Sequence, residues 1–531
     1  MAEQMIADLQ RRLQRLEDKE AITSLLHRYC KLADTHQWDE YASCYLEDGT
    51  VKFNDWPDVV GRDKIAALIS SAEDRFGGQQ HSLSNIELSV DGDKASGSCY
   101  LWFAAALDTA KPHEYHGFGG PYELTFARTG SGWKIATLKL RKIWAQNPDT
   151  EVRVVQEELA AIISPESVIF GPEDPRFVNA TERHSTHVVP RVEVVVVPAT
   201  EDDVPLIVTY CNDNSIEFLA INRAHSRSYS PGAFQGLMID LGGLLDIDIQ
   251  PSRKSAWFGG GTYDGQVVDY LWERGFVATT GSCDCVGMMG PGLGGGHGRH
   301  EGLYGLISDN LINLNVVLAD GTAVRVNETS HPDLLWAMKG AGHNFGIVTS
   351  FELKIWPREV DLWHYHNYIW TEDKLEALFT EANKLHKDGN TPASIFWSFA
   401  YRGPADEAEA ILAPFNAIEP AWEESGDVSY PEISVAQITD LDSGTCAGNK
   451  TWISTTAGLL SFNITATRNI YELHNQYLRR YPELQSAYVG HDSYSNIGIR
   501  EFPSKGSAFP FRHYIHLTYV YPAARMGKNT N

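Results

Sequence analysis

The chain has 531 residues, 43% of them apolar and 21% charged, which is enough to form two or three packed domains. Its formal charge of −25 argues against a nucleic-acid partner and against an anionic membrane surface. No segment has the length and apolarity of a membrane helix, and seven scattered cysteines do not suggest a disulfide framework, so we expect a cytoplasmic protein.

The N-terminal part predicts a long helix followed by a series of strands. Apolar residues recur at helical spacing at Ile6, Leu9, Leu13 and Leu16. Such a stripe is typical of core packing, although the charged start of the helix could also pair with a second copy of the chain. Aromatic and β-branched residues then favour strands in KASGSCYLWFAAAL, YELTFART and WKIATLKLRKIW. Helices followed by such strands indicate an α+β domain.

A connecting stretch, residues 148–182, leads to a region with a different pattern. VEVVVV is a continuous apolar run, as expected for a strand that is covered on both faces. A helix is predicted next, with Thr200 as its N-cap and with Pro205 unfavourable beyond the first turn. Asp320-Gly321 predicts the turn of a β-hairpin. A third region with alternating helix and strand signals follows.

Residues 281–298 read GSCDCVGMMGPGLGGGHG, and eight of these eighteen residues are glycine. Such density indicates a turn or a surface that another group approaches closely. The Gly-Lys-Ser/Thr ending of a Walker loop is absent, and the flanking strand and helix do not form a Rossmann unit. A zinc site would use Cys283, Cys285, His297 and His300, but their spacing is unusual, and we predict no metal site. Local composition is equally compatible with a close strand crossing that carries incidental cysteines.

Ordered motifs between residues 183 and 357 resemble the flavin-binding domain of vanillyl-alcohol oxidase, p-cresol methylhydroxylase and the berberine bridge enzyme-like oxidases. The motifs are VVVVPATEDDVPLIVTYCNDNSIEFLAINRAHS, MIDL, FGGGTYDGQVVDYLWERG, GSCDCVGMMGPGLGGGHG, YGLISDNLINLNVVLADGTAVRV and PDLLWAMKGAGHNFGIVTSFELKIWP. The resemblance is especially close to the fungal berberine bridge enzyme-like oxidases. It implies an FAD cofactor whose pyrophosphate lies on loops of backbone N–H groups.

The same resemblance implies which residues bind FAD. They are Asn222, Arg223, Ala224, His225, Ser226, Gly281, Cys283, Val286, Gly287, Gly290, Gly295, Gly296, His297, Gly298, Ile347 and Val348. In members with two covalent bonds to the flavin, the histidine matching His225 binds its 8α carbon and the cysteine matching Cys283 binds ring carbon 6. Arg223-Ala224 replaces the usual Gly-Gly pair, and the arginine can pair with pyrophosphate oxygens. Cys285 is interpreted as a small packed hydrophobic residue.

Residues 358–531 are compatible with the antiparallel-sheet substrate domain of this family, and SAFPFRHY resembles a stretch of its fungal members. The chain ends before the Asn-Tyr-x-Asn motif of many relatives, whose tyrosine is a base in some of them, so we expect a truncated domain. Tyr401, His513 and Tyr514 are candidate replacements for that base, although each is also typical of sheet packing or of a surface.

Residues 1–147 resemble the SnoaL-like proteins, which share the cone-shaped fold of scytalone dehydratase. The resemblance rests on LLHRYCKLADTHQWDEYASCYLEDGTV, VVGRDKIAALI, QQHSLSNIELSVDGDKASGSCY and GGPYELTFARTGSGWKIA. It implies an apolar pocket in which Asp34 and His81 act as a base or position water, with His113 or His116 as a proton donor. Many members of this fold are binding or assembly modules, in which such a pair merely forms a hydrogen bond.

We therefore predict an α+β protein with a cone-shaped domain (1–147), a linker (148–182), a two-part PCMH-type FAD-binding domain (183–357) and a truncated substrate-binding domain (358–531). The predicted activity is removal of a hydride from an alcohol, an amine or an activated carbon of a small secondary metabolite, with dioxygen as the acceptor. The first domain could add a dehydratase or cyclase activity. Two alternatives are a lyase or isomerase that works through the N-terminal pocket, and a non-catalytic protein that binds or dimerises.

Overall fold

The structure, a computed structural model, describes residues 2–53, 58–74, 76–106, 109–110, 115–146, 150–389, 391–396, 399–448, 451–452, 455–521 and 523–524. It divides into two compact units, Met1–Glu158 with Gly171–Phe177, and Leu159–Phe170 with Val178–Asn531. The predicted linker contributes residues to both units, and the finer domain boundaries stay predictions. Within the described ranges, no helix is both long and apolar enough to cross a membrane.

The first unit packs helices against one open sheet. Its helices are α1 (Ala2–Asp34), α2 (Trp38–Ala42) and α3 (Arg62–Glu73), and its strands are β1 (Tyr45–Phe53), β2 (Val59–Val60), β3 (Gly78–Asp91), β4 (Lys94–Ala106), β5 (Tyr115–Thr129), β6 (Gly132–Leu140) and β7 (Trp144–Gln146). The strand order is β2-β1-β6-β5-β4-β3, and β7 pairs with β5. Strands β1 and β6 run parallel, and the other neighbours are antiparallel. The predicted α+β character is confirmed.

Helix α1 has an exposed part and a buried part. Ile22 and Leu26 are fully buried and join the core of the unit. The four apolar residues predicted to pack in the core, Ile6, Leu9, Leu13 and Leu16, are instead 52–65% exposed. The expectation of core packing is wrong for them, because the helix becomes covered only from Asp18 onwards. Pairing of this stripe with a second copy stays a prediction.

The second unit carries the glycine-rich stretch. Its elements up to residue 357 are β8 (Val168–Phe170), β9 (Arg191–Val197), α6 (Asp203–Asp213), β10 (Phe218–Ile221), β11 (Gln235–Asp240), β12 (Ile247–Ile249), β13 (Ser255–Gly259), α7 (Asp264–Glu273), β14 (Phe276–Val277), α8 (Met289–Gly292), α9 (Glu301–Tyr304), β15 (Leu311–Val317), β16 (Ala323–Val326), α10 (Pro332–Ala341), β17 (Ile347–Lys354) and β18 (Trp356–Pro357); α4 (Thr150–Ala160) and α5 (Arg176–Thr181) span boundaries between the units. Strands β10, β11 and β9 are parallel, and β12-β13-β17-β15-β16 form an antiparallel sheet.

The remaining elements form smaller sheets with helices between them. They are β19 (Trp363–Ile369), α11 (Leu375–Leu385), β20 (Ile395–Phe396), β21 (Ala400–Tyr401), α12 (Ala405–Asn416), β22 (Trp422–Val428), α13 (Ile433–Ala436), β23 (Thr451–Trp452), β24 (Thr455–Leu459), α14 (Ile464–Arg480), β25 (Tyr488–Ser493), α15 (Ile497–Arg500), β26 (His516–Tyr521) and β27 (Ala523–Ala524). The strand orders are β20-β21-β19-β22, β24-β26-β25 and β23-β27. These sheets are antiparallel, as predicted.

Two local predictions in the second unit have different outcomes. The Asp320-Gly321 hairpin is confirmed, since β15 and β16 pair on either side of it. Helix α6 begins at Asp203, three residues after the predicted N-cap Thr200. Pro205 therefore lies in the first turn, where its missing N–H costs no helical hydrogen bond.

A buried ion pair joins the two parts of the second unit. Arg512 Nη2 lies 2.6 Å from Asp309 Oδ1, and both side chains are at least 95% buried. The guanidinium also donates to Asp309 Oδ2 at 3.0 Å and to Ser507 Oγ at 2.7 Å, which fixes its plane. Asp309 in turn accepts the backbone N–H of Leu306. The pair thus attaches the SAFPFRHY stretch to the 3-10 turn Ser308–Asn310, which lies just before strand β15.

Replacing Arg512→Met should destabilise the second unit by about 3–5 kcal/mol, because the Asp309 carboxylate would stay buried without its counter-charge. Denaturant unfolding of the full chain measures this change. The exposed Arg479→Met is the matched control and should shift the free energy of unfolding by less than about 0.5 kcal/mol. Equal stability of the two variants would show that the pair contributes nothing.

Candidate active sites

The predicted Asp34–His81 pair is in direct contact. Asp34 ends helix α1, and His81 lies on strand β3. Asp34 Oδ1 accepts the backbone N–H of His81 at 2.8 Å and lies 2.7 Å from His81 Nδ1. The carboxylate therefore holds the ring in one orientation and keeps a proton on Nδ1. Whether the pair is catalytic stays a prediction.

Glu73 is a residue of this site that sequence reasoning missed. Its Oε1 lies 3.6 Å from His81 Nε2, and its Oε2 accepts a hydrogen bond from Gln79 at 2.8 Å. Burial of the imidazole alone would lower the pKa of His81, but the carboxylates of Glu73 and Asp34 raise it to about 9. At neutral pH the ring is therefore a cation that can donate a proton. Glu73 belongs to none of the quoted motifs, so no local signal marked it.

Aromatic rings surround the imidazole of His81. The ring of Phe103 lies 4.8 Å away and that of Tyr29 6.4 Å away, centroid to centroid. His116 is buried, and its Nε2 lies 3.8 Å from Glu173 Oε1. His113, the other predicted proton donor, lies outside the described residues.

The loop after β10 holds the predicted residues Asn222–Ser226. Asn222 Nδ2 donates to the carbonyl oxygens of Gly260 at 3.1 Å and Thr262 at 2.9 Å. Ala224 has φ = 54°, a left-handed conformation that favours glycine. The backbone at Ala224 therefore has a conformation that a glycine adopts more readily. The Arg223 guanidinium lies 4.3 Å over the ring of Tyr263.

His225 is held as a neutral imidazole. Its ring stacks on that of His184, with 4.2 Å between the centroids. Burial lowers the pKa of His225 to about 3, and the positive charges around it, including those of Arg227 and Arg223, act in the same direction. Ser226 follows with an exposed side chain, and its carbonyl oxygen accepts a hydrogen bond from Arg183 at 3.1 Å.

The predicted glycines of residues 281–298 mostly contact the protein itself. A Cβ on Gly298 would overlap the carbonyl oxygen of Thr280, and one on Gly287 would meet the Asn222 amide. Gly281, Gly295 and Gly296 lie similarly against Asp264, Phe509 and Ile307. Gly290 is exposed, and a Cβ there would have no neighbour within 4 Å. The close approach predicted by the glycine content is therefore largely an approach to neighbouring protein atoms.

Cys283 is a half-buried free thiol in this stretch. Burial raises the pKa of Cys283 to about 11, and the nearby cation of Arg299 opposes that shift in part. The thiol is thus protonated at neutral pH. Val286, three residues further on, accepts the backbone N–H of Asp264 at 2.9 Å.

The interpretation of Cys285 as a small packed hydrophobic residue is wrong, because this buried cysteine is part of a disulfide that the scattered cysteines did not suggest. Cys285 forms a disulfide with Cys446, 161 residues away in the chain. Its sulfur is therefore no thiolate ligand, which also removes the zinc set that included Cys283 and His300. The pairing was missed because only the fold brings these two distant positions together.

The predicted residues Ile347 and Val348 begin β17. Ile347 pairs with Val317 of β15, and Val348 is buried in the core. The Val348 carbonyl lies against Gly260, whose own carbonyl accepts from Asn222. The structure therefore joins this strand to the His225 loop.

His297 lies in a polar cluster that the sequence did not reveal. His297 Nδ1 is 2.9 Å from Glu301 Oε2, and its ring stacks at 4.7 Å on that of Tyr494. Tyr494 donates to Asp492 Oδ2, and Tyr519 donates to Asp492 Oδ1, both at 2.9 Å. Burial raises the pKa of Asp492, and its negative charge in turn contributes to the raised pKa of Cys283.

The three residues that the sequence suggested as a base, Tyr401, His513 and Tyr514, make contacts outside the cluster of His297 and Asp492. Tyr401 donates to Glu407 at 2.7 Å on the exposed surface. His513 is exposed, and its ring lies 4.3 Å from that of Tyr514. Tyr514 packs against Gly458. Asp492, which accepts from two tyrosines, is instead the carboxylate whose charge acts on both Cys283 and His297.

Two buried polar atoms near the loops of Asn222 and Gly281 have no hydrogen-bond partner in the protein and could bind a ligand. Among the described residues, Asn222 Oδ1 and Asp264 Oδ2 are buried without a hydrogen-bond partner. Asn222 lies on the predicted pyrophosphate loop, and Asp264 lies against Gly281. Both oxygens can pair with hydroxyl or N–H groups of FAD, and the open position at Gly290 and the neutral His225 are compatible with such a group.

Comparison with known proteins identifies both units. Residues 14–139 match a SnoaL-like domain, and residues 192–327 match an FAD binding domain. The FAD-linked oxidoreductase OXR2 of Pyricularia oryzae is 47% identical over 382 residues, which cover 67% of this chain and 74% of that protein. The FAD-linked oxidoreductase anuG of Penicillium roqueforti is 48% identical over 378 residues, with the same coverage of 67% and 74%.

Solved structures share the fold at low identity. Physcomitrella patens BBE-like 1 has a TM-score of 0.61 and 20% identity, covering 70% of this chain and 84% of that protein. The glucooligosaccharide oxidase of Acremonium strictum, with a 6-S-cysteinyl, 8α-N1-histidyl FAD, has a TM-score of 0.60 and 19% identity, covering 70% and 81%. The chain belongs to the FAD-linked oxidoreductases and carries a SnoaL-like domain in its N-terminal part.

Proposed function

We propose that the protein oxidises a small secondary metabolite with an FAD that is bonded covalently to His225 and Cys283. The observation that carries this proposal is the connection between the two loops. Asn222 of the His225 loop lies against Gly287 of the Cys283 loop, and Arg223 Nε donates to the Cys285 carbonyl at 3.4 Å. The doubly linked flavin of the glucooligosaccharide oxidase that shares this fold supports the same assignment.

The chain's own residues would bind and orient the cofactor. Neutral His225 keeps a nitrogen lone pair, the form that a bond to carbon requires. Arg223 would pair with pyrophosphate oxygens. FAD, when bound, would accept the hydride and pass its electrons to dioxygen, as in oxidases generally.

Asp492 would take the proton that leaves the substrate's hydroxyl or amine group. Its raised pKa makes it a better proton acceptor than an exposed aspartate. Because Tyr494 and Tyr519 donate to its two oxygens, either phenol can accept the substrate proton while passing its own to Asp492.

The two covalent bonds predict that acid-stable flavin is lost only when both are removed. Wild-type protein precipitated with acid should keep its visible flavin absorbance, and His225→Ala or Cys283→Ala should each keep it through the remaining bond. The double variant should release its flavin, because no covalent bond remains. Absorbance of the pellet and the supernatant measures this.

Cys211→Ala is the control for loss of a buried free thiol in the same unit, and His474→Ala is the control for loss of a histidine. Both should behave like wild type. Complete release of flavin from wild type would disprove the covalent bonds, and full retention by the double variant would disprove this choice of residues.

Asp492→Asn should slow substrate oxidation by about 10²–10⁴-fold, because an amide cannot accept the proton. The rate is measured as anaerobic flavin reduction by the substrate that a panel of alcohols and amines identifies. The flavin content of Asp492→Asn should equal that of wild type. The flavin of the control variant, the exposed Asp442→Asn, should be reduced at the wild-type rate. A rate within a factor of three of wild type would exclude Asp492 as the base.

A second candidate function, proton transfer by the first unit, is favoured by one observation. His81 has carboxylates at both ring nitrogens, 2.7 Å and 3.6 Å away. We infer that it acts as a proton donor, the role that a dehydratase or cyclase needs at the leaving oxygen of its substrate.

The stability of the first unit should depend on the charge of His81. The pKa of about 9 lies above the ordinary 6.5, so the stabilisation is complete below pH 6.5 and is lost as the pH rises through 9. The full difference corresponds to about 3 kcal/mol. Hydrogen exchange of the β3 peptides in the full chain, corrected for intrinsic rates, measures it.

Glu73→Gln should remove much of the pH dependence of stability, because it removes one of the two carboxylates that stabilise the positive charge of His81. The exposed Glu40→Gln, also in the first unit, should leave it unchanged. Identical pH profiles for Glu73→Gln and wild type would contradict the role of Glu73.

A further inference from the structure

Two histidines of strand β19 and a glutamate of helix α12 converge on one point in the second unit. His364 Nε2 lies 2.9 Å and His366 Nδ1 2.7 Å from the same atom, Oε1 of Glu409. Both histidines are at least 95% buried. One ligand atom from each of the three residues lies within 4.8 Å of the others.

All four ring nitrogens of these histidines face carboxylates. The outer nitrogens, His364 Nδ1 and His366 Nε2, lie 2.8 Å from Asp427 and 3.0 Å from Glu423. A neutral imidazole has one N–H, so protons on the outer nitrogens leave two lone pairs aimed at Glu409 Oε1. That contact is repulsive unless positive charge lies between the three atoms. One divalent cation at this point satisfies all three atoms at once.

The groups around the cluster are arranged as the outer partners of metal ligands usually are. Metal-binding histidines donate their second N–H to a carboxylate or a carbonyl, as His364 and His366 can do here. Glu409 Oε2 accepts a hydrogen bond from Asn416 Nδ2 at 2.8 Å, and Asn416 in turn accepts from Tyr368. Each of the three side chains that face the common point at Glu409 Oε1 is therefore oriented by a second hydrogen bond.

We propose that His364, His366 and Glu409 bind a divalent transition-metal ion, with zinc as the ion that this donor set suits best. Zinc bonds of about 2.0–2.1 Å place tetrahedral ligand atoms about 3.3 Å apart, so each histidine nitrogen would move about 0.5 Å away from Glu409 Oε1. The ion would attach helix α12 (Ala405–Asn416) to the sheet formed by β19 and β22.

The metal site is separate from the flavin site. Trp363 of the same strand packs against His300 and Tyr430, with 5.3 Å and 4.9 Å between the ring centroids. Because successive residues of a strand point to opposite faces, His364 and His366 face away from that contact. The ion would therefore stabilise the sheet and take no part in the oxidation.

The test is zinc binding by the full-length protein. After removal of metal with a chelator, wild type should bind one zinc ion per chain with a dissociation constant below about 1 μM, measured by calorimetry and elemental analysis. X-ray absorption at the zinc edge should show two imidazole ligands at about 2.0–2.1 Å. The variant with both His364→Ala and His366→Ala should lose this binding. His386→Gln removes a buried histidine outside the cluster and should bind zinc like wild type.

Glu409→Gln serves if the double variant does not fold, because glutamine preserves the side-chain volume. It should weaken zinc binding at least tenfold. The proposal is overturned if wild type binds no zinc, or if the cluster variants bind as tightly as wild type. Neither result bears on the flavin assignment, which is read from acid-stable absorbance.

Discussion

The contacts between the glycine-rich stretch and the protein atoms around it determine where the residues of the proposed flavin site lie. Gly298 faces the Thr280 carbonyl with no room for a side chain, and Gly287 faces the Asn222 amide in the same way. Such contacts fix the path of the chain at two points of the stretch. Cys283 and His297 lie near the two ends of the stretch, so this packing determines their positions.

The disulfide adds a second constraint to the same stretch. Cys285 is bonded to Cys446, and the backbone N–H of the neighbouring Asp284 donates to the Thr439 carbonyl at 2.9 Å. On the chain-entropy model, closing a loop of 161 residues destabilises the unfolded chain by about 5 kcal/mol. Thr445, next to Cys446, accepts from His184, which stacks on His225. One covalent bond thus supports both loops of the proposed flavin site.

What could be predicted from the sequence was mostly local. The Asp320-Gly321 hairpin follows from turn chemistry, and the Asn222–Ser226 and 281–298 loops follow from motifs contiguous in the chain. The contacts of Asp492 with Tyr519 and of Glu409 with His364 depend on strand pairing and helix packing across 27 and 45 residues. Strand alternation could have placed His364 and His366 on one face, but no spacing rule would have supplied their glutamate.

Two histidines of this protein differ in their chemistry because the charges around them differ. His81, between the carboxylates of Asp34 and Glu73, has a pKa of about 9 and is a cation at neutral pH. His225 is partly buried and lies among basic side chains, and its burial together with these charges lowers its pKa to about 3. A histidine that must donate a proton needs the first environment, and one that must offer a lone pair to carbon needs the second. The electrostatic surroundings therefore distinguish the two proposed sites, one of which favours proton donation and the other a bond between nitrogen and carbon.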